Sequence, residues 1–246
     1  MAWDFARELQ QWGPRLGGER RAHVGRSPGL PASRAYCAHV ARTHYENFTV
    51  GSLLLPRRLV RHFHAVYAYC RWSDDLADET AGGEESLRIL DWWRGELLTC
   101  YHGEPSHPVT ISLRETIRRF AIPPEPFLDL LTAFTQDQHI KRYDTFDQLL
   151  AYCRNSANPV GRLVLYLFEA FNAERAALSD EVCTGLQLAN FWQDVARDYA
   201  IGRVYIPGED MRHIGVSEVD LAGGRCTNEF RELLRFEVQR TRGFFD

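Results

Sequence analysis

Residues 70–79 read CRWSDDLADE, which sets four acids, Asp74, Asp75, Asp78 and Glu79, within six positions directly behind a run of aromatic and aliphatic side chains. The run upstream decides the local structure. From Pro56, a residue suited to the first helical turn, Leu59, Phe63, Val66, Tyr67 and Cys70 recur at spacings of three and four, so they share one face of a helix. Adding four to Cys70 gives Asp74, and four more gives Asp78; the spacing predicts that both continue the buried stripe. Two carboxylates one turn apart repel, and partial burial makes their charged forms costly unless a cation compensates. The plain alternative is a helix end of solvated acids, with Arg71 as an i, i+3 partner for Asp74.

The same period runs through most of the chain and strand signals are scarce, so the expected fold is all-α, a single-domain helical bundle. Helices are expected from about Ser33 and Pro56, and over about 86–101, 108–120, 125–142, 145–157, 160–173, 179–200 and 226–243. Gly or Pro disfavours continuation at 81–83, 102–105, 123–124, 158–159 and 223–224. Residues 1–32, with Arg15, Arg20, Arg21 and Arg26 among glycines, read as a flexible N-terminal arm; 33–246 reads as one helical domain.

The 246 residues are 45% hydrophobic and 12% aromatic, enough for a well-filled core. A net charge of −4 gives no electrostatic footprint for nucleic acid. The six cysteines (37, 70, 100, 153, 183, 226) are nowhere closer than 30 positions, so no CxxC pair holds zinc; they read as small buried hydrophobes in a reducing cytoplasm. Asp4 and Glu8 stand where a secretory signal would need apolar residues, and no run of about eighteen apolar residues exists, so any membrane association is expected to be peripheral. There is no Rossmann glycine fingerprint.

A second acidic stretch is LANFWQDVARDYAIGRVYIP, residues 188–207. Asn190, Asp194 and Asp198, four apart, form a ladder of oxygen ligands on one helical face, continuing the apolar positions Val182 and Leu186. Ion pairs to Arg197 or Arg203 are the alternative use of the two aspartates. If the two acidic helices face each other in a bundle, their carboxylates line one cavity suited to hard divalent cations. Magnesium rarely takes an all-protein cage, so phosphate oxygens of a ligand should complete its coordination.

Taken together, Asp74-xxx-Asp78, Asn190-xxx-Asp194-xxx-Asp198 and the following GRVYIP resemble the squalene and phytoene synthase family of head-to-head prenyl transferases, over roughly residues 35–246. HYENFTVGSLLLP (44–56) is similar to the family's first flap, AVYAYCRWSDDLAD (65–78) to its first aspartate helix and YCRNSANPVGRL (152–163) to its central kinked helix. The resemblance implies a terpenoid synthase fold with a central active-site cavity. It implies that Asp74, Asp78, Asn190, Asp194 and Asp198 are metal-related, binding Mg²⁺ ions that grip a prenyl diphosphate, and that His44 and Arg71 approach the diphosphate. Family members usually continue with further helical sequence after RTRGFF, so residues closing the pocket are expected beyond Asp246.

Two departures refine the resemblance. Squalene synthases usually read YCxYVAGxVG where this chain has Asn155 in YCRNSANPVG, and the flap's Ser-Phe pair appears as Glu46-Asn47-Phe48. Both variants are similar to the bacterial hydroxysqualene synthase branch of the hopanoid pathway. That branch converts presqualene diphosphate to hydroxysqualene without NADPH and leaves condensation of farnesyl diphosphate to a sister synthase, with a reductase downstream.

The implied chemistry is loss of diphosphate, carbocation rearrangement and capture by water. Arg71, Arg197 and Arg203 are the cationic candidates for the leaving group. Phe48, Phe63, Tyr67, Leu163, Leu167, Phe168 and Phe191 are candidates to line an apolar cavity, with ordinary core packing as the alternative for each. Asn155 and Asn158, three apart and near one another if the helix persists, are candidates to hold the quenching water, because Pro159 leaves the Asn155 carbonyl without its i+4 amide. Serving the kink itself is the structural alternative. Two other functions compete: a condensing synthase joining two prenyl diphosphates, and an inert prenyl-lipid-binding relative. Such an inert relative is expected to lose acidic ligands, and all five ladder positions are present.

Overall fold

The computed structural model describes residues 3–14, 27–43 and 55–246. His44, Phe48, the flap variant Glu46-Asn47-Phe48 and the basic positions 15–26 lie outside the described residues. Among the described residues the only regular elements are helices: α1 (Phe5–Trp12), α2 (Leu30–Thr43), α3 (Arg57–Asp78), α4 (Gly83–His102), α5 (Pro108–Phe120), α6 (Glu125–Gln136), α7 (Phe146–Ser156), α8 (Asn158–Leu167), α9 (Ala173–Gln193), α10 (Val195–Ala200), α11 (Gly208–Ile214), α12 (Glu218–Ala222) and α13 (Asn228–Arg242). They form two compact units, Met1–Gln138 with Tyr166–Glu169, and His139–Leu165 with Ala170–Asp246.

In the first unit α3 packs against α2, α4, α5 and α6. Of the predicted stripe only Leu59 and Val66 are buried, and the rest of the buried face lies beside it. Tyr69, Trp72 and Leu76 are fully buried, whereas Phe63, Tyr67 and Cys70 are half-buried. The aromatic positions decide it: Trp93 of α4 stacks on both Tyr69 and Trp72 at 5.6 Å, and His107 meets Trp72 edge-on at 4.4 Å. Each indole also needs a partner for its N–H. Trp93 Nε1 donates to Ser73 Oγ at 2.9 Å, and Trp72 Nε1 donates to the Tyr36 hydroxyl at 3.1 Å. The turn before α4 needs two residues at positive φ, supplied by Gly82 (81°) and Gly83 (60°).

Within the span 1–32, α1 occupies Phe5–Trp12 and α2 starts at Leu30. Asp4 caps α1 by accepting from the Arg7 amide at 3.2 Å, and Phe5 is buried edge-on to Trp72 at 5.3 Å. One aromatic anchor and a cap outweigh the polar composition of that helix.

In the second unit α9 packs against α7 and α13. Gly161 of α8 sits where a Cβ would collide with Ser179 Oγ and Cys183 Sγ of α9, so the two helices touch backbone to side chain. Arg162 forks onto Asp180 at 3.0 and 2.5 Å beside that contact. The helix expected over 125–142 stops at Gln136, and Arg142 instead forms a parallel bridge with Val204. Of the cysteines, all free, Cys226 is exposed, and Cys70 and Cys183 are half-buried.

Candidate active site

The first acidic stretch closes α3 in the first unit. Asp75, not Asp74 or Asp78, is its buried acid: the Asp75 side chain is 1% exposed, Asp74 is 42% exposed, and Asp78 lies open on the surface. The expected stripe misses because the buried face of α3 runs through Tyr69, Trp72 and Leu76, one position away from the stripe through Cys70 and Asp74. Arg71 is the cation the acids share. Its guanidinium lies 2.5 Å from Asp75, 3.2 Å from Asp74 and 3.4 Å from Glu79. Burial pushes the Asp75 carboxyl above the usual range, opposed by Arg71 and by the Trp3 indole, which donates to Asp75 Oδ2 at 3.0 Å.

The second stretch lies in the second unit. Asp194 interrupts the helix between α9 and α10, with φ −100° and ψ 12°. The register survives the break: the Asp194 amide donates to the Asn190 carbonyl at 2.9 Å, and the Asp198 amide to the Asp194 carbonyl at 2.8 Å. Asn190, Asp194 and Asp198 therefore keep their i, i+4 relation. Val182 and Leu186, expected on a buried continuation of this face, are exposed at 45% and 55%. Asn190 is exposed and Asp194 and Asp198 are half-buried. Burial and the neighbouring Asp194 raise the Asp198 carboxyl, while Arg203 and Arg197 act in the opposite sense. Arg197 is exposed and Arg203 half-buried.

The segment after this ladder is held in extended form. The Val204 amide donates to the Lys141 carbonyl and the Gly208 amide to the Tyr143 carbonyl, both at 2.9 Å. Tyr205 is thereby pressed flat onto Phe191 at 3.9 Å, with Tyr143 and Tyr152 each 5.9 Å from its ring. Asp198, Arg203, Phe191 and Tyr205 share the wall of a cavity of about 10 Å³, room for about one water. Phe191 was expected here; Tyr143, Tyr152 and Tyr205 were not. Their only sequence signal is their place inside the motifs YCRNSANP and GRVYIP or near them.

The remaining expected residues divide. Leu163 and Leu167 are fully buried; Tyr67 and Phe63 are half-buried, and Phe168, exposed at 46%, meets Phe63 edge-on at 5.8 Å. The helix does not persist through Asn155 and Asn158: Ala157, at φ −114° and ψ −50°, separates α7 from α8 because Pro159 brings no amide to continue the ladder. Asn155 ends up half-buried in α7. Asn158 is buried in α8, where its Oδ1 accepts from Thr184 Oγ1 at 2.9 Å.

Among the described residues no three His, Cys, Asp or Glu side chains converge into a metal cage. The donor set nonetheless fits magnesium shared with a phosphate ligand. Such an ion takes only one or two carboxylates from protein, and Asp194 beside Asp198 is a like-charged oxygen pair; burial first, and Asp194 after it, raise the Asp198 carboxyl.

The squalene/phytoene synthase family model matches residues 41–246, a span that contains both acidic stretches and the Tyr205 segment. The chain belongs to this family. Its members act on prenyl diphosphates in isoprenoid biosynthesis, which makes the chain an enzyme of the head-to-head synthase type. A phytoene synthase of Arthrospira platensis is 30% identical over 241 residues, covering 90% of this chain and 78% of the relative. Phytoene synthase 3 of Zea mays is 31% identical over 223 residues, and there the match spans 52% of the relative's length. The crystal structure of squalene synthase HpnC from Alicyclobacillus acidocaldarius superposes with a TM-score of 0.84 at 44% identity, covering 88% of this chain and 82% of that one. A dehydrosqualene synthase crystallised with a ligand gives 0.77 at 28% identity, over 88% and 75%. The terpenoid-synthase-type all-helical fold expected from the sequence is thereby established. No helix among the described residues is long and apolar enough to cross a membrane.

Proposed function

We propose that the chain is a hydroxysqualene synthase, converting presqualene diphosphate and water to hydroxysqualene and diphosphate. The observation that carries this reading is the NSANP stretch. It puts Asn155 where squalene synthases usually carry a tyrosine. The 44% identity to squalene synthase HpnC supports a squalene-forming route over a carotenoid one.

Several magnesium ions would be held among Asp74, Asp78, Asn190, Asp194 and Asp198, and when bound they would neutralise charge on the departing diphosphate. The chain's own part is electrostatic and steric. Arg71 binds diphosphate oxygens, with Arg197 and Arg203 contributing positive charge near the second ladder. The C–O bond to diphosphate breaks with its electron pair leaving on oxygen, the carbocation rearranges, and water adds to it and loses a proton. Aromatic faces such as those of Phe63 and Tyr67, which are only half-buried, stabilise the cation by about 0.5–2 kcal/mol each and exclude other nucleophiles. No reductant enters this balance, so NADPH has no role. The long, largely apolar product favours release at a membrane face, a peripheral association; presqualene diphosphate requires a separate condensing synthase upstream, and hydroxysqualene a reductase downstream.

The curated relatives named phytoene synthase favour a second reading, direct condensation of two prenyl diphosphates. Incubating the purified protein with farnesyl diphosphate and, separately, with presqualene diphosphate, each with Mg²⁺, and identifying products by mass spectrometry separates the two. Hydroxysqualene from presqualene diphosphate alone is the expected result; phytoene-type or presqualene products from the linear diphosphate would reject the first reading.

A further inference from the structure

We propose that Trp3 and Asp75 are positioning residues for Arg71, so that the N-terminal helix, which lies outside the 41–246 span of the family model, is part of the diphosphate-binding machinery. The proposal rests on the reading that Arg71 meets the diphosphate.

An arginine on a long flexible stem binds a diphosphate well only if its guanidinium is already held in place. Three acids touch Arg71, but they are unequal holders. Asp74 and Glu79 are 42% and 48% exposed, and exposed ion pairs hold geometry weakly. Asp75 is buried and in the last turns of α3, and its Oδ1 lies 2.5 Å from Arg71 Nη2. The orientation of Asp75 therefore sets the orientation of Arg71.

The other Asp75 oxygen fixes that orientation by accepting from Trp3 Nε1 at 3.0 Å. Indole suits the task for a specific reason: it donates one hydrogen bond and carries no charge. A lysine or arginine there would compete with Arg71 for the carboxylate, and an apolar residue would leave the second oxygen unsatisfied in a buried place. Trp3 is itself held by α1, whose next anchors lie one helical turn along α3. Phe5 packs on Trp72, and Glu8 Oε2 accepts from the Tyr36 hydroxyl at 2.8 Å, which in turn accepts from Trp72 Nε1. The chain of contacts runs from α1 through Trp3 and Asp75 to Arg71 without leaving the first unit.

Isothermal titration of inorganic diphosphate at fixed Mg²⁺ tests this on the full chain, with thermal melts beside it. Trp3→Phe keeps an aromatic ring and removes the donor; Asp75→Glu keeps the charge and moves it. Both are expected to weaken inorganic diphosphate binding by roughly tenfold, the scale of one hydrogen bond to a charged group. Arg71→Gln is expected to weaken it at least as much, and Trp3→Phe added to Arg71→Gln should cause no further loss. Should Trp3→Phe weaken binding equally with and without Arg71, or not at all while Arg71→Gln does, the positioning role is wrong and Trp3 merely fastens the N-terminus. Unchanged binding in Arg71→Gln alone rejects the underlying reading of Arg71 instead. Trp3→Phe should melt within a few degrees of the wild type, so these outcomes are read on folded protein.

Discussion

The Asp198 amide donates to the Asp194 carbonyl at 2.8 Å, so the two carboxylates stay one helical turn apart although Asp194 breaks the helix. Like charges at this spacing cost about 0.2–0.5 kcal/mol when no cation is bound. Asp194→Asn should therefore raise metal-free stability by about that much while abolishing turnover. Asp74→Asn differs in sign, because Asp74 pairs with Arg71 at 3.2 Å: turnover should again be lost, but with stability unchanged or lowered by up to about 1 kcal/mol. Melts with and without Mg²⁺ and inorganic diphosphate measure both. Wild-type turnover in either variant would remove that residue from the site.

If water ends the reaction, NADPH should change neither its rate nor its product, and the product's oxygen should come from solvent. Mass spectrometry of single turnovers in ¹⁸O-water reads this directly. Squalene that accumulates only with NADPH would favour a reducing synthase.

Much of this was legible in the sequence because helical periodicity and Gly or Pro breaks are local signals. The helix over 108–120 is found as read, and the break expected at 158–159 falls at Ala157. What was not legible depends on partners far along the chain. Leu59 and Val66 are buried as read, but the C-terminal half of the α3 face was misassigned because apolar spacing alone admits two neighbouring stripes, and the stacking of Trp93 on Tyr69 and Trp72 chooses between them. That choice moved the buried acid from Asp74 to Asp75. In the same way α1 reads as polar sequence until Phe5 finds Trp72, and Tyr205 reads as part of a motif until it stacks on Phe191.

The break at Ala157 divides the two asparagines into different roles. Asn158→Leu leaves the buried Thr184 hydroxyl without its acceptor, which should cost about 1–3 kcal/mol of stability, visible as a lower denaturant midpoint. Asn155→Leu, at a half-buried position, should leave stability within about 0.5 kcal/mol and instead shift product from alcohol towards elimination. An unchanged product distribution in Asn155→Leu would confine Asn155 to a structural role.

The last prediction concerns Glu237, whose side chain is fully buried in the second unit. Its Oε2 accepts from Arg240 Nη2 at 2.7 Å, and the same Nη2 donates to Asp210 Oδ2 at 2.6 Å, so one cation serves two acids. Glu237 Oε1 has no hydrogen-bond partner among the described residues. Burial pushes the Glu237 carboxyl up to about 7 from its ordinary 4.5, against the pull of Arg240. An acid whose folded pKa is raised binds its proton more tightly when folded, so its ionisation lowers stability as pH climbs from about 4.5 to about 7, and the loss is complete above that. Glu237→Gln stays neutral throughout and cannot show this loss. Relative to wild type, the variant should gain stability on the order of 2 kcal/mol between pH 5 and pH 8, whatever its offset at pH 5. Urea denaturation of both proteins across that range measures the difference. A gap between them that does not change with pH would mean that Glu237 is already ionised in the folded protein at pH 5, with Arg240 outweighing the burial.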